Sequence, residues 1–353
     1  MSRDHARTRR ALLASGATFA AGALAGCSGG GSTTTTTDGA TDTATDTATP
    51  TDTPTATDTP TATETATPAE PGTVETLVSI PGERVPENMA FGPEGALYFG
   101  ITAGELRRLS ADRLGETGLS LDDTEQVATL PGAIGVEVGP DGTAYVAVAA
   151  DGDAAGVYEV PPGGEASQLV TVTGFPNDIL YDTNRDRLLV TESMGGVVYS
   201  VALDGTRSTW LDADSLDTES FGANGITVAG DGTVSVAVTR AAGENGRLVQ
   251  APITGDGSAG TVSTFLEDGA IFGADGITAR GEAIYVAANS QNRVVRVGPN
   301  GGTETVADAE DGLVFPSDVL FGPGDVADQL FVCNFANQSP EDGAILRTRV
   351  PMA

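Results

Sequence analysis

The chain has 353 residues with 49 acidic and 18 basic side chains, all of the latter arginine, for a formal net charge of −31. A surface of this sign repels nucleic acid and anionic lipid, so neither is expected as a partner. The only histidine is His5 and the only cysteines are Cys27 and Cys333, too few ligands for a zinc site and, once a leader is removed, no pair for a disulfide.

Residues 1–27 read as an export signal. Thr8-Arg9-Arg10-Ala11-Leu12-Leu13 resembles a twin-arginine start, and residues 11–26 form an apolar run too short for an ordinary membrane span. Leu24-Ala25-Gly26-Cys27 resembles a lipoprotein box, which makes Cys27 the expected lipidation site. Residues 28–72 are Thr, Asp, Ala, Pro and Gly repeats that cannot bury a core, and they are expected to form a disordered stalk. Together these segments predict a protein tethered outside the cell, touching the membrane only through its lipid. The acidity and the lack of lysine resemble exported proteins of halophilic archaea.

Residues 73–353 repeat. Six phrases open in nearly the same way: Pro86-Glu87-Asn88-Met89, Ala133-Ile134-Gly135-Val136, Pro176-Asn177-Asp178-Ile179, Ala223-Asn224-Gly225-Ile226, Ala274-Asp275-Gly276-Ile277 and Pro316-Ser317-Asp318-Val319. Their second residues are 47, 43, 47, 51 and 42 positions apart, a spacing that belongs to propellers. Turn signals such as Gly139-Pro140-Asp141-Gly142 separate short runs rich in Val, Ile, Leu, Tyr and Ala, four to a repeat. In the fourth repeat the strands are predicted at 224–228, 233–239, 246–252 and 261–266. No long segment with a helical period competes. The expected fold is therefore all-β, a six-bladed β-propeller. The last repeat offers only 316–321, 329–333 and 344–350, so residues 74–80 are predicted to supply its fourth strand and close the ring.

Closure turns the second residue of each phrase into a ring: Glu87, Ile134, Asn177, Asn224, Asp275 and Ser317. Two carboxylates and two amides suit a hard cation, Ca²⁺ first, with Mg²⁺ or Mn²⁺ as alternatives. Ile134 and Ser317 leave gaps through which a small-molecule substrate could reach it. Taken singly, Asn224-Gly225 and Asp275-Gly276 read more readily as turn formers, and it is their shared register with Glu87 and Asn177 that favours a site. Loops between the second and third strands are expected at the same mouth, which makes Glu192, Arg240 and Asn289 candidate substrate contacts.

The opening phrases resemble those of the gluconolactonase, regucalcin and strictosidine-synthase-like six-bladed propellers. The resemblance implies that Glu87, Asn177, Asn224 and Asp275 hold a divalent cation, with Asp275 also the catalytic base. It implies a metal-dependent lactonase or esterase-type hydrolase acting on a small ester, a sugar lactone above others, as a monomer. The alternative is a surface-displayed propeller that binds a ligand or protein without chemistry. Histidine-based catalysis is excluded from residues 28–353, where no histidine occurs.

Overall fold

The computed structural model describes residues 72–218 and 220–350. The predicted export signal, Cys27 and the stalk up to residue 71 lie outside the described residues. Six antiparallel sheets follow one another along the chain as the blades of a β-propeller. Blade one comprises Pro86–Phe91, Leu97–Ile101, Glu105–Leu109 and Glu125–Thr129. Blade two comprises Val136–Val138, Ala144–Val148, Gly156–Val160 and Ser167–Thr171, and blade three Pro176–Asp182, Arg187–Glu192, Val197–Ala202 and Arg207–Asp212. Blade four comprises Ala223–Val228, Thr233–Ala241, Asn245–Pro252 and Ser263–Asp268, and blade five Ala274–Arg280, Ala283–Ala288, Arg293–Val297 and Thr303–Ala307. Among the described residues the only helices are 3-10 turns, and no helix is long and apolar enough to cross a membrane.

Blade six holds Pro316–Phe321, Gln329–Asn334 and Ala344–Arg349, and its fourth strand is Val74–Ser79 from the start of the domain. That strand runs antiparallel to Ala344–Arg349, from Val74 opposite Thr348 to Ser79 opposite Ala344. The expected closure is therefore present, one residue shorter than 74–80. The sequence reading missed a second layer of it. A short strand, Leu119–Ser120, reaches out of blade one and adds in parallel to Val78 and Ser79. Arg347 ties it down by donating to the carbonyl oxygens of Leu114 and Gly115 and pairing with Glu75 at 3.1 Å. The outermost strand of blade six thus has no bare edge along this stretch.

Each blade is covered by its neighbours, which explains the composition of its strands. Second strands such as Ala144–Val148 and Ala283–Ala288 are buried at every position and consist of Ala, Val, Ile and Tyr. Outer strands such as Ser167–Thr171 and Thr303–Ala307 are largely polar and partly exposed. The apolar core divides into six clusters, and each spans one pair of adjacent blades, including blade six against blade one. Among the described residues no apolar cluster spans more than two blades. The first strands are left to line a central channel.

Candidate functional site

The opening phrases form the first strand of each blade, and a β-bulge recurs where the polar residues stand. Pairing with the second strand slips between Pro86 and Met89, Pro176 and Ile179, Ala223 and Ile226, Ala274 and Ile277, and Pro316 and Asp318. A bulge breaks the strict alternation of a strand and re-aims side chains. In blades one, three, four and five two successive residues are thereby released from the ladder, Glu87-Asn88, Asn177-Asp178, Asn224-Gly225 and Asp275-Gly276, and in blade six Ser317 alone. Blade two is the exception; its first strand is only Val136–Val138, and Ile134 and Gly135 precede it.

The first of the two columns is the predicted one. Asn177, Asn224 and Asp275 are 5, 4 and 6 % exposed, so no bulk water solvates them. The Asn177 amide nitrogen donates to Ser193 Oγ at 3.0 Å, and Ser193 Oγ donates to the Ala223 carbonyl at 2.7 Å. The Asn224 amide nitrogen donates to Thr239 Oγ1 at 2.9 Å. In both amides the nitrogen is taken by a hydroxyl, so the oxygen is the group each can offer. Asn289 donates to Asp275 Oδ2 at 2.7 Å, and Asn224 also hydrogen-bonds the Asp275 carboxylate. Ser317 fills its place by donating to the Glu87 carbonyl at 2.6 Å. Glu87 Oε2 is buried without a partner.

The second column was missed by the sequence reading. It runs Asn88, Gly135, Asp178, Gly225, Gly276 and Asp318. Asn88 Oδ1 accepts the Val136 N–H at 2.8 Å while its nitrogen donates to Asp178 Oδ1 at 3.2 Å. Asp178 Oδ2 accepts the Ile226 N–H at 2.9 Å, and Asp318 Oδ2 accepts the Met89 N–H at 2.9 Å. Each of these side chains therefore clips its own blade to the backbone of another. The glycines do the same work by absence. A Cβ at Gly135 would overlap the Asn177 carbonyl, one at Gly225 the Asp275 carbonyl, and one at Gly276 the Asp318 carboxylate. Gly225 and Gly276 lie inside strands, so the turn-former reading of Asn224-Gly225 and Asp275-Gly276 does not hold.

Four carboxylates, Glu87, Asp178, Asp275 and Asp318, thus share one buried channel. Among the described residues none of them has an arginine partner. Burial, then the fields of Asp275, Asp318 and Asp178, hold the Glu87 carboxyl well above its usual range. Burial likewise pushes Asp275 up to about 7, against the hydrogen bonds of Asn289 and Asn224, and Asp178 up to about 6. Asp318 is raised well above the usual range by burial and by Asp178. A cavity of about 350 Å³ lies on the far side of the second column, lined by Glu137, Thr227 and Thr278 among others. Burial raises Glu137 to about 7.

These donors fit a hard cation. Like charges held together in low dielectric without a counter-ion are unfavourable, and a divalent cation relieves that cost. Among the described residues no three or more His, Cys, Asp and Glu side chains gather in a metal-holding arrangement by themselves. A cation would therefore draw on the amide oxygens of Asn177 and Asn224 beside Glu87 and Asp275. Cys333 is fully buried, and burial, then Asp318 and Glu87, push its thiol up, so it is a poor thiolate donor.

The three predicted substrate contacts fall in different places. Glu192 accepts the N–H groups of Phe175, Met194 and Gly195 at 2.8–2.9 Å, which commits its carboxylate to shaping its own loop. Asn289 is buried against Asp275 and orients it. Arg240 is exposed, with its guanidinium over the Phe272 ring at 5.6 Å.

Comparison with known proteins agrees with this architecture. A family described as strictosidine synthase-like, N-terminal, matches residues 75–109, the closing strand and most of blade one. No curated protein matches the chain. A gluconolactonase of Xanthomonas campestris is 17 % identical, with a TM-score of 0.58 over 79 % of this chain and 89 % of that one. The calcium-binding protein regucalcin of Agrobacterium tumefaciens is 18 % identical, with a TM-score of 0.54 over 77 % and 94 %. An auxiliary nutrient-binding protein of Bacteroides thetaiotaomicron is 8 % identical, with a TM-score of 0.60 over 78 % and 75 %. At these identities the likeness is one of fold.

Proposed function

We propose that this propeller is a divalent-cation-dependent hydrolase of a small ester or lactone, with Ca²⁺ as the cation. The observation that carries the reading is the first column: a buried Glu87 carboxylate oxygen without a protein partner, beside two buried amides whose nitrogens are taken by hydroxyls, in the register that resembles gluconolactonase-type phrases. Glu87, Asn177, Asn224 and Asp275 would hold the cation. When bound, it supplies Lewis acidity toward an ester carbonyl. Asp275 is the group placed to accept a proton from water. Asn289 fixes the orientation of that carboxylate, and Ser193 and Thr239 turn the two amide oxygens toward the ring. Ser317, tied back to the Glu87 carbonyl, and Ile134 contribute no strong donor, so one side stays open to substrate. The domain is further proposed to act as a monomer, displayed outside the cell through a lipid on Cys27.

The test is δ-lactone hydrolysis by protein prepared in high salt, with and without chelator and after added Ca²⁺. Turnover that disappears with chelator, returns with Ca²⁺ and is lost in Asn224→Ala supports the reading. Turnover indifferent to all three treatments refutes it. Bound calcium without turnover on any ester would make the domain a binding module instead. Detergent phase partitioning of the full chain expressed in a halophilic host, compared with Cys27→Ser, checks the anchor; equal partitioning of both rejects it.

A further inference from the structure

Phenylalanine is unevenly placed on this propeller. Phe175, Phe221, Phe272 and Phe315 stand two or three residues ahead of Asn177, Asn224, Asp275 and Ser317, on the connections that lead into blades three to six. Blades one and two have Val85 and Gly132 at that place. The four rings are half-buried, unlike Phe99 and Phe331, which are fully buried core. Phe175 and Phe221 meet edge-on at 4.9 Å across two blades. Phe315 meets Phe335, from the loop after the second strand of blade six, at 5.8 Å. Met194, on the matching loop of blade three, is 61 % exposed and is one of two large apolar side chains exposed among the described residues.

The backbone is strained to hold one of these rings. Phe315 has φ of +48°, a left-handed conformation that a bulky side chain adopts only at a cost. Asn292 Oδ1 secures it by accepting the Phe315 N–H at 2.8 Å, and Asn292 is itself left-handed at +52°. Ala336, next to Phe335, is left-handed at +53° and donates its N–H to Val314 at 3.0 Å. Three non-glycine residues are thus held in an unfavourable region around one side of the mouth.

We infer that these rings and Met194 form an apolar collar over the Asn177–Asn224–Asp275 side of the mouth, and that the substrate is an ester or lactone bearing an alkyl or aryl substituent. Phenylalanine and methionine carry no strong hydrogen-bonding group. A polyhydroxylated ring would lose water from its hydroxyls there and find few donors or acceptors in exchange, the Arg240 guanidinium over Phe272 being, among the described residues, the one charged group set against these rings. An alkyl chain or aryl ring gains from the same contact. The choice of an ester rests on the hydrolase reading; the choice of an apolar substituent rests on the collar alone.

The experiment separates the two. Binding of unhydrolysable δ-lactams bearing no chain, a propyl chain or a hexyl chain is measured by calorimetry in high salt with Ca²⁺. Turnover of the matching δ-lactones and of D-glucono-δ-lactone is measured in parallel. The expected result is an affinity and a kcat/KM that climb with chain length, up to roughly fourfold per methylene. Met194→Ser and Phe221→Ala flatten the climb with melting temperatures unchanged or little changed, and Val228→Thr, at the opposite end of its strand, leaves it intact. A flat lactam series, or glucono-δ-lactone turned over faster than the alkyl lactones, overturns the inference. Lactam affinity that climbs without any lactone turnover refutes the hydrolase and leaves the collar standing. Turnover indifferent to the chain, with a flat lactam series, does the reverse.

Discussion

The two columns around the channel differ by one position in sequence and are spent in opposite ways. Asn88, Asp178 and Asp318 give their oxygens to backbone N–H groups of other blades. Glu87 keeps a carboxylate oxygen in reserve, the amides of Asn177 and Asn224 commit their nitrogens to hydroxyls, and Asp275 is held by side chains rather than by backbone. Both columns are buried and both carry acids whose protons are held tightly. Burial and perturbed acidity therefore do not tell a site from a clamp; the unspent bonding capacity does.

Substitution breaks or sharpens that contrast directly. Asp275→Asn is expected to lower kcat/KM for a lactone by about a thousandfold or more, the scale of losing a positioned base together with a ligand. Its metal-free melting temperature should be unchanged or higher, because one buried negative charge is gone. Asp178→Ala should instead lower stability by about 3 kcal/mol, read by urea unfolding in high salt, since it strands the N–H groups of Ile226 and Ile179 and the Asn88 amide. Glu87→Gln should move stability the other way in metal-free protein at pH 8 and abolish any gain from added Ca²⁺. If Glu87→Gln and Asp178→Ala prove equally destabilising, the two columns are one structural network and the contrast falls. Gly135→Ala sits between them. Its Cβ would push the strand that carries Asn177, so it should cost about 2 kcal/mol and also weaken Ca²⁺ binding.

The sequence carried the architecture because propeller repeats write their period into spacing, and because a missing fourth strand in residues 316–350 called for a partner at 74–80. It carried the first column because that column differs from blade to blade in chemically telling ways. The second column was equally visible as Asn88, Asp178 and Asp318 with glycine in the other three phrases, but its meaning depends on a backbone approach between blades that no single phrase encodes. Glu192 illustrates the reverse limit. A loop carboxylate at the mouth reads as a contact, and only the positions of three N–H groups show where it is engaged. The left-handed backbone at Phe315 is likewise set by Asn292, which is distant in sequence.

The smallest expected effect is also the one that joins both columns, the response of stability to pH. Asp275 and Glu137 are raised to about 7 and Asp178 to about 6, from ordinary values of 3.8, 4.5 and 3.8. Between those limits the folded state holds protons that the unfolded state has released, so metal-free stability falls as pH rises. The contribution is full below about 4, is lost progressively up to about 7, and changes little above that. A bound cation reverses the sign for the first column. It favours the ionised carboxylates, lowers their folded values below the unfolded ones, and makes stability fall on acidification instead. Melting in high salt with chelator should therefore give a midpoint a few degrees higher at pH 5 than at pH 8. With Ca²⁺ the order should invert, and Glu87→Gln should remove the inversion while Asp318→Asn should not. A midpoint that responds to pH identically with and without Ca²⁺ would mean that no cation meets the first column, and that its spare oxygens are held by protons alone.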